Sequence, residues 1–415
     1  MTEEISRNLC LEMDQADPLA ARRDDFVLPE NTIYLDGNSL GAMTHAVAAN
    51  VERTMREEWA QGLIRSWNEA NWITKAMKVG DTLAGLIGAD DGEVVVCDST
   101  SVNVYKQLAA ALDMRPDRKV IVSEAGNFPT DLYMAQGLIA HLDRGHELRL
   151  VQPGDSVFDA IDEDVAVVML THVDFKSGLV HDMNAVTEAA HDAGALMLWD
   201  LCHTAGAMPI DLNAAGTDLA VGCTYKYLNG GPGAPAFIFV ACRLQDQIRQ
   251  PLTGWMGHNA PFAFDIRFEP AGGIERMLSG SHGILGLSAV ETALEVWQDV
   301  DMNDIRTKSI ALCELFIELV ETRCAGHGFE LISPRDAKVR GSQISFIHDH
   351  GFEIMQALIG AGVIGDYREP NVLRFGFTPL YVRFVDVWDA VDKLTAIMDG
   401  DIWQDPKYAI RGAVT

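Results

Sequence analysis

Seven short apolar runs recur between residues 94 and 240, and most are separated by stretches with helical periodicity. The runs span residues 94–97, 120–123, 148–151, 165–170, 195–199, 219–222 and 236–240. Apolar strands that alternate with helices are buried on both faces, which indicates a mainly parallel, doubly wound α/β sheet of seven strands. The last connection, 222–236, is too short for a helical crossover and predicts an antiparallel strand.

The sequence predicts two domains and an N-terminal segment. At 415 residues the chain exceeds one typical core of about 100–200 residues. After residue 300 the regular alternation ends, and a smaller sheet with helices is indicated by segments 303–324, 343–347, 352–361, 372–377 and 385–399. We therefore expect an N-terminal segment at 1–75 that belongs to the small domain or to a dimer arm, a large domain at 76–300, and a smaller α+β domain at 301–415.

Composition excludes several classes of function. The formal net charge of −28 argues against binding to nucleic acid or to an anionic membrane. No apolar run reaches the about 18 residues that a membrane span needs, and no secretion signal is evident, so we expect a cytoplasmic protein. Seven scattered cysteines without a CxxC pair fit a reducing compartment and predict no metal site. The motifs GxxxxGK[ST], HExxH and GxSxG do not occur.

Lys226 lies between two tyrosines and ahead of three glycines, shortly after the apolar run 219–222. Burying an ammonium group is costly, so a lysine at the end of a buried strand is unusual. Desolvation lowers the pKa of such an amine and makes it a nucleophile, as in lysines that form Schiff bases. The alternative is a solvated lysine in a Gly-rich turn, and residues 222–233 alone leave both interpretations open.

Polar and aromatic side chains follow the other apolar runs, and ligands of open α/β sheets bind beyond the carboxyl ends of the strands. Hydroxyl groups follow the first run at 98–103, where a helix start could bind an anion or simply carry an N-cap. Phe128 could stack on a flat ligand or belong to the core. Asp200 follows the run 195–199, and a buried carboxylate needs a cationic partner, such as the protonated ring nitrogen of pyridoxal 5′-phosphate (PLP).

Six motifs, spread in order over nearly the whole chain, carry a resemblance to a known family. They are LDGNSLG (35–41), NFPTD (127–131), WDLCH (199–203), CTYKYLNGGPG (223–233), GWMGH (254–258) and RFGFTPLY (374–381). Together they resemble the kynureninase family, among the fold-type I PLP enzymes of the class V aminotransferase group. Cysteine desulfurases of this group share the aspartate, histidine and lysine, but not the tryptophan loop and the C-terminal arginine in this form. The resemblance implies a fold-type I architecture with PLP as the cofactor.

The resemblance also implies which residues bind the cofactor. Lys226 would form a Schiff base with PLP, Asp200 would pair with the pyridinium nitrogen, and Tyr225 would contact the phosphate and act as an acid or base. The remaining contacts, to the ring edge, the ring face and the phosphate, would come from Thr100, Ser101, Phe128, Asp131, Thr171, His203, Trp255 and Ser281. Trp255 and Ser281 correspond to residues that reach the phosphate of the neighbouring subunit, so the resemblance implies a homodimer with shared sites.

The implied reaction is hydrolysis of L-kynurenine to anthranilate and L-alanine in tryptophan catabolism, with 3-hydroxy-L-kynurenine as a second candidate substrate. Arg374 would bind the substrate α-carboxylate through its guanidinium fork, and a salt bridge between domains is the alternative. Trp67, His258 and Asn38 would line the aryl pocket, where the bulk of Trp67 would exclude the 3-hydroxyl group. Two other functions stay open: another class V enzyme, namely a cysteine desulfurase or an aminotransferase, and a PLP-binding protein without catalysis.

Overall fold

A computed structural model describes residues 5–412 of the chain. Its strands are β1 (Ile33–Tyr34), β2 (Val94–Val96), β3 (Val120–Glu124), β4 (Glu147–Val151), β5 (Val165–Thr171), β6 (Leu196–Asp200), β7 (Leu219–Gly222), β8 (Phe237–Val240), β9 (Glu330–Leu331), β10 (Gln343–Ile347), β11 (Val363–Ile364), β12 (Asp366–Arg368) and β13 (Val372–Gly376). Its α-helices are α1 (Arg7–Ala16), α2 (His45–Arg53), α3 (Ser66–Glu69), α4 (Lys75–Ile87), α5 (Thr100–Met114), α6 (Pro129–Leu142), α7 (Met183–Asp192), α8 (Cys242–Gln245), α9 (Ile284–Ala293), α10 (Met302–Arg323), α11 (Gly351–Gly360) and α12 (Phe384–Asp399). A π-helix, Thr54–Gly62, continues α2.

The large sheet has seven strands in the order β2-β8-β7-β6-β5-β3-β4, which confirms the seven predicted strands. The strands from β7 to β4 pair in parallel, whereas β8 is antiparallel to both of its neighbours, as its short connection predicts. Strands β5 to β8 are buried along their whole length. Continuous apolar sequence is what a sheet covered on both faces requires, because neither face meets water.

The register of the parallel strands aligns their carboxyl ends. Thr171 at the end of β5 lies opposite Asp200 at the end of β6, and Asp200 lies opposite Val221 near the end of β7. The polar residues that follow these strands therefore meet at one edge of the sheet. Lys226 lies in the loop after β7, four residues beyond Gly222, at that edge.

A second, antiparallel sheet in the order β12-β13-β10-β9 forms the smaller α+β part of the chain, as predicted. Helices α10 and α12 pack against each other beside it. The predicted strand at 343–347 and the closing helix near 385–399 occur with almost the same bounds. Strands β9, β11 and β12 have only two or three residues, too few for an alternating pattern to be visible in sequence.

The N-terminal segment contacts both parts of the structure. Strand β1 pairs with β11, and α1 packs on α12, whereas α2 packs on α9 beside the large sheet. The carboxylate of Asp14 accepts hydrogen bonds from the first two backbone N–H groups of α12, at 2.6 and 3.1 Å. The division at residues 75 and 300 stays a prediction, and its outermost ends lie outside residues 5–412. Within that range, no helix is both long and apolar enough to span a membrane.

Replacing Asp17 by alanine should loosen the N-terminal segment. Asp17 and Lys308 form an ion pair at 2.6 Å, and their side chains are 3% and 5% exposed. Because the variant leaves the buried ammonium group with only the Pro379 carbonyl as a partner, we expect the free energy of unfolding to fall by about 3 kcal/mol, measured by urea denaturation. The control Arg56→Ala breaks an exposed pair and should cost less than about 1 kcal/mol. Equal losses in the two variants would contradict this account.

Candidate functional site

Lys226 and His203 are in direct contact. The Lys226 Nζ atom lies 2.9 Å from His203 Nε2, and His203 Nδ1 lies 3.1 Å from the side-chain oxygen of Gln343. The Gln343 amide nitrogen donates to the Phe175 carbonyl at 3.0 Å, which directs its oxygen toward the imidazole. His203 Nδ1 is therefore the donor and Nε2 accepts from the lysine. Burial first, and then the charge of Lys226, hold the pKa of His203 well below its usual value, so the ring is neutral.

Two buried carboxyl groups lie beside this lysine. Asp200 is 4% exposed at the end of β6, and Asp131 is 1% exposed in the first turn of α6. Burial, the Asp200 charge and a hydrogen bond to Asp200 raise the pKa of Asp131 well above its usual value. The Asp131 Oδ2 atom is buried without a hydrogen-bond partner in residues 5–412. Such a pair calls for a cationic group, and the protonated ring nitrogen of the cofactor implied by the sequence fits this requirement.

Phe128 and Thr171 are held at the site by one asparagine that the sequence analysis did not assign. Asn127 Oδ1 accepts from the Thr171 hydroxyl at 2.5 Å and from the Phe128 backbone N–H at 2.6 Å. The Phe128 ring centroid is 6.0 Å from Lys226 Nζ, and the ring packs edge-on against Phe175. Because its side chain is 38% exposed, Phe128 keeps apolar surface free to stack on a planar ligand.

The start of α5 offers hydroxyl groups beside the end of β6. Ser99 caps the helix by accepting from the Val102 N–H, so neither Thr100 nor Ser101 serves as the N-cap. The Thr100 hydroxyl lies 3.8 Å from the Cys202 sulfur, which places this helix start next to Asp200. A helix N-terminus with two uncapping hydroxyls suits a phosphate group.

Arg374 is buried and already has protein partners. Its guanidinium donates to the Phe175 carbonyl and to the Ser39 hydroxyl, each at 2.7 Å, and to Asp366 Oδ2 at 2.5 Å. The Asn38 amide contacts Arg374, Asp36 and Gln343, each at 3.2 Å. A cleft of about 700 Å³ beside these groups is lined by Asp36, Ser39, Phe128, Asp366 and Arg368, among others.

Tyr225 lies in the Lys226 loop, with its ring centroid 5.9 Å from Lys226 Nζ. Its backbone carbonyl accepts from the Gly41 N–H at 2.8 Å, which ties the loop to the LDGNSLG motif. An added Cβ on Gly41 would meet the Lys226 carbonyl at 2.2 Å, so the close approach requires glycine. Burial raises the pKa of Tyr225, and the phenol is therefore protonated near neutral pH.

Four of the residues chosen from sequence lie apart from this group. Trp67 packs edge-on against Trp72 and lies 6.5 Å from the His282 ring, next to the exposed Ser281. Trp255 and His258 contact aromatic side chains of their own loop. In residues 5–412, no hydrogen bond, ion pair or ring contact links these four to Lys226 or Asp200. The same loop exposes Phe262, Phe264 and Ile266 by 61%, 77% and 98%.

Sequence reasoning missed Asn127, Gln343, Asp36 and Asp366 as members of the site. Asn127 lies within a motif that carried the resemblance, and Gln343 begins a strand that was predicted. Asp36 and Asp366 face Arg374 only because three separate segments meet, and no local pattern signals that contact.

Replacing Asp131 by asparagine should stabilise the cofactor-free protein at neutral pH. A carboxyl group whose pKa is higher in the folded state opposes folding once the pH rises above its unfolded value near 4. The amide keeps a donor toward Asp200 but carries no charge. We expect the melting temperature of the apoprotein to fall less between pH 4 and pH 7 in the variant than in the wild type. The exposed control Asp349→Asn should follow the wild type, and a lower melting temperature for Asp131→Asn at pH 7 would refute the interpretation.

Solved structures with the same fold are PLP enzymes by their titles or close homologues of such enzymes. The apo cysteine desulfurase from Thermococcus onnurineus NA1 superposes with a TM-score of 0.78 at 18% identity, covering 92% of this chain and 98% of that chain. A C-DES variant with glycine covalently linked to its PLP cofactor gives 0.75 at 15% identity, covering 89% and 96%. At these identities the similarity shows the fold, which is that of fold-type I enzymes.

Sequence comparison is far more specific. Residues 305–394 match the model of the kynureninase C-terminal domain. Kynureninase from Burkholderia pseudomallei (strain K96243) is 56% identical over 99% of this chain and all of its own length. Kynureninase from Pseudomonas fluorescens is 53% identical over the same shares. The chain therefore belongs to the kynureninase family.

Proposed function

We propose that this protein is a kynureninase, a PLP-dependent hydrolase that cleaves L-kynurenine to anthranilate and L-alanine in tryptophan catabolism. The observation that carries the proposal is 53–56% identity to kynureninases over the full length of both chains. The meeting of Lys226, Asp200 and Asp131 at one sheet edge supports PLP as its cofactor.

The cofactor would be held on three sides. Asp200 and Asp131 would pair with the ring nitrogen, and Phe128 would stack on the ring. Thr171 and His203 would contact the ring and its edge. The phosphate would lie at the start of α5, against Thr100, Ser101 and Tyr225. When bound, PLP supplies an electron sink for negative charge that develops at the substrate α-carbon.

Lys226 is proposed as the base that removes the α-proton and as the covalent partner of the cofactor aldehyde. The neutral His203 accepts a hydrogen bond from Lys226 Nζ, so it orients the amine without competing for a positive charge. Asp200 retains a proton on the ring nitrogen by its negative charge. Tyr225, protonated at neutral pH, is placed to give a proton to the substrate carbonyl region or to the product.

Substrate binding is proposed to involve residues from both parts of the chain. Arg374 would bind the α-carboxylate, and Asn38, Trp67 and His258 would line the aryl pocket. Trp255 and Ser281 would reach the phosphate of a neighbouring subunit in a homodimer. The exposed apolar side chains of residues 262–266 support such an interface, because large apolar patches on a surface mark association sites. A cytoplasmic location and the three-part domain division remain part of this proposal.

A cysteine desulfurase is less compatible with the site. That reaction needs a reactive thiolate on an accessible segment, and the candidates Cys313 and Cys324 are buried at 0% and 3% exposure. Burial raises the pKa of Cys313 to about 12 and also raises that of Cys324, which disfavours the thiolate.

The Lys226→Ala variant should lose cleavage of L-kynurenine, because the amine that receives the α-proton is removed. We expect kcat to fall by at least about a thousandfold, given the size of effects when a catalytic group is deleted. Anthranilate fluorescence measures the reaction, and chromatography identifies L-alanine. Wild-type protein that binds PLP yet forms no anthranilate would favour the non-catalytic alternative. The exposed Lys78→Ala variant serves as the control and should keep wild-type turnover.

Trp67 should determine the preference for substrates without a 3-hydroxyl group. Its indole is anchored by an edge-on contact with Trp72, so it presents a fixed bulky surface. We expect the wild-type kcat/KM to favour kynurenine over 3-hydroxykynurenine, and Trp67→Ala to reduce that ratio by about tenfold, the usual effect of a pocket contact. Equal kcat/KM values for both substrates in the wild type would refute the role of Trp67.

A further inference from the structure

The guanidinium group of Arg374 is engaged by the protein before any substrate arrives. Two of its nitrogens donate to Phe175, Ser39 and Asp366. A substrate α-carboxylate is bound best by two parallel N–H groups of one fork. At least part of the existing set must therefore be exchanged for the substrate to bind at Arg374.

Asp366 has a second cation within reach. Its Oδ2 atom lies 2.7 Å from Arg368 Nε as well as 2.5 Å from Arg374, and its side chain is 4% exposed. The Arg368 side chain is 36% exposed and lines the cleft. Asp366 can thus leave Arg374 without becoming a buried charge that has no counter-ion. Its position imitates that of an incoming carboxylate.

Asp36 is the second carboxylate near this arginine, with Oδ1 4.0 Å from the Arg374 guanidinium. It faces the cleft and belongs to the LDGNSLG motif. The charged groups that act on it are Asp366, Arg374 and Arg368. The tyrosines Tyr34, Tyr227 and Tyr381 also interact with it, but they stay neutral because burial raises their pKa values. Two carboxylates and two guanidiniums therefore balance each other before a third carboxylate enters.

We propose that Asp366 and Asp36 are resident carboxylates that compete with the substrate α-carboxylate for Arg374, so that binding shifts Asp366 to Arg368 and brings a proton from solvent to Asp36. This inference rests on the proposed role of Arg374 in substrate binding. Both aspartates are positioning residues, since they act on the substrate through the arginine.

The sign of the pH effect follows from the charges. Burial first, and then the Asp366 charge, raise the pKa of Asp36 to about 7. Below that pH Asp36 is neutral, and the cluster has a net positive charge that attracts a carboxylate. Above it Asp36 is ionised and the attraction weakens. KM for L-kynurenine should therefore rise with pH above about 7, by up to about tenfold per unit.

The test compares KM between pH 6 and pH 9 in the wild type and in Asp36→Asn, which cannot ionise. We expect similar KM values at pH 6 and a ratio that grows to about tenfold at pH 8, with kcat changed by less than about threefold. Calorimetry in two buffers of different ionisation enthalpy should detect proton uptake on binding of L-alanine, the product, to the wild type but not to the variant. Parallel pH profiles, or equal proton uptake, would overturn the proposal.

Asp366→Asn provides a second, independent measurement. Removing the competing charge should lower KM for L-kynurenine by about three- to tenfold, whereas a higher KM would show that Asp366 assists binding and would overturn the proposal. Glu369→Gln is the matched control, because Glu369 pairs with Arg411 at the same face and should leave the pH profile unchanged. Arg374→Gln separates the two levels of the argument. If it leaves KM unchanged, the assignment of Arg374 fails; if it raises KM while Asp36→Asn behaves as wild type, only the competition fails.

Discussion

The parallel register of β5, β6 and β7 is the constraint on which the site depends. It sets Thr171 opposite Asp200, and Asp200 next to the strand that leads to Lys226. Side chains alternate along a strand, so a shift of one residue would turn Asp200 to the other face of the sheet. The continuous burial of these strands makes such a shift costly, because apolar residues pack against helices on both faces.

Charge balance is the second organising principle, and it is local. The chain has a net charge of −28, yet the site places two buried carboxyl groups beside Lys226 and two more beside Arg374. Near Lys226 the carboxyl groups outnumber the cations, which favours a cationic ligand atom. Near Arg374 they equal the guanidiniums, which leaves the cluster able to respond to one additional negative charge. The two clusters therefore recognise opposite ends of one amino-acid adduct.

The large sheet and the lysine loop could be predicted from sequence because both leave local signals. Apolar runs marked the strands, and residues such as Asp200 and His203 follow a strand directly. The function of Thr100 and Ser101 was harder to separate from capping, and the structure shows that Ser99 takes the cap. The partners of Arg374 had no such signal. Asp36 and Asp366 are 330 positions apart in sequence, and their proximity results from packing that no periodic pattern encodes.

Contacts between the two sheets bind the site into one unit. His203 of the large sheet is oriented by Gln343 of the small sheet, and Arg374 of the small sheet donates to Phe175 in the loop after β5. The orientation of Lys226 therefore depends on the docking of residues more than a hundred positions away. A movement of the small sheet relative to the large one would alter the carboxylate-binding arginine and the hydrogen bond of the lysine together. Substrate binding at Arg374 and the placement of the amine are coupled for this reason, through two hydrogen bonds rather than through a change in the core.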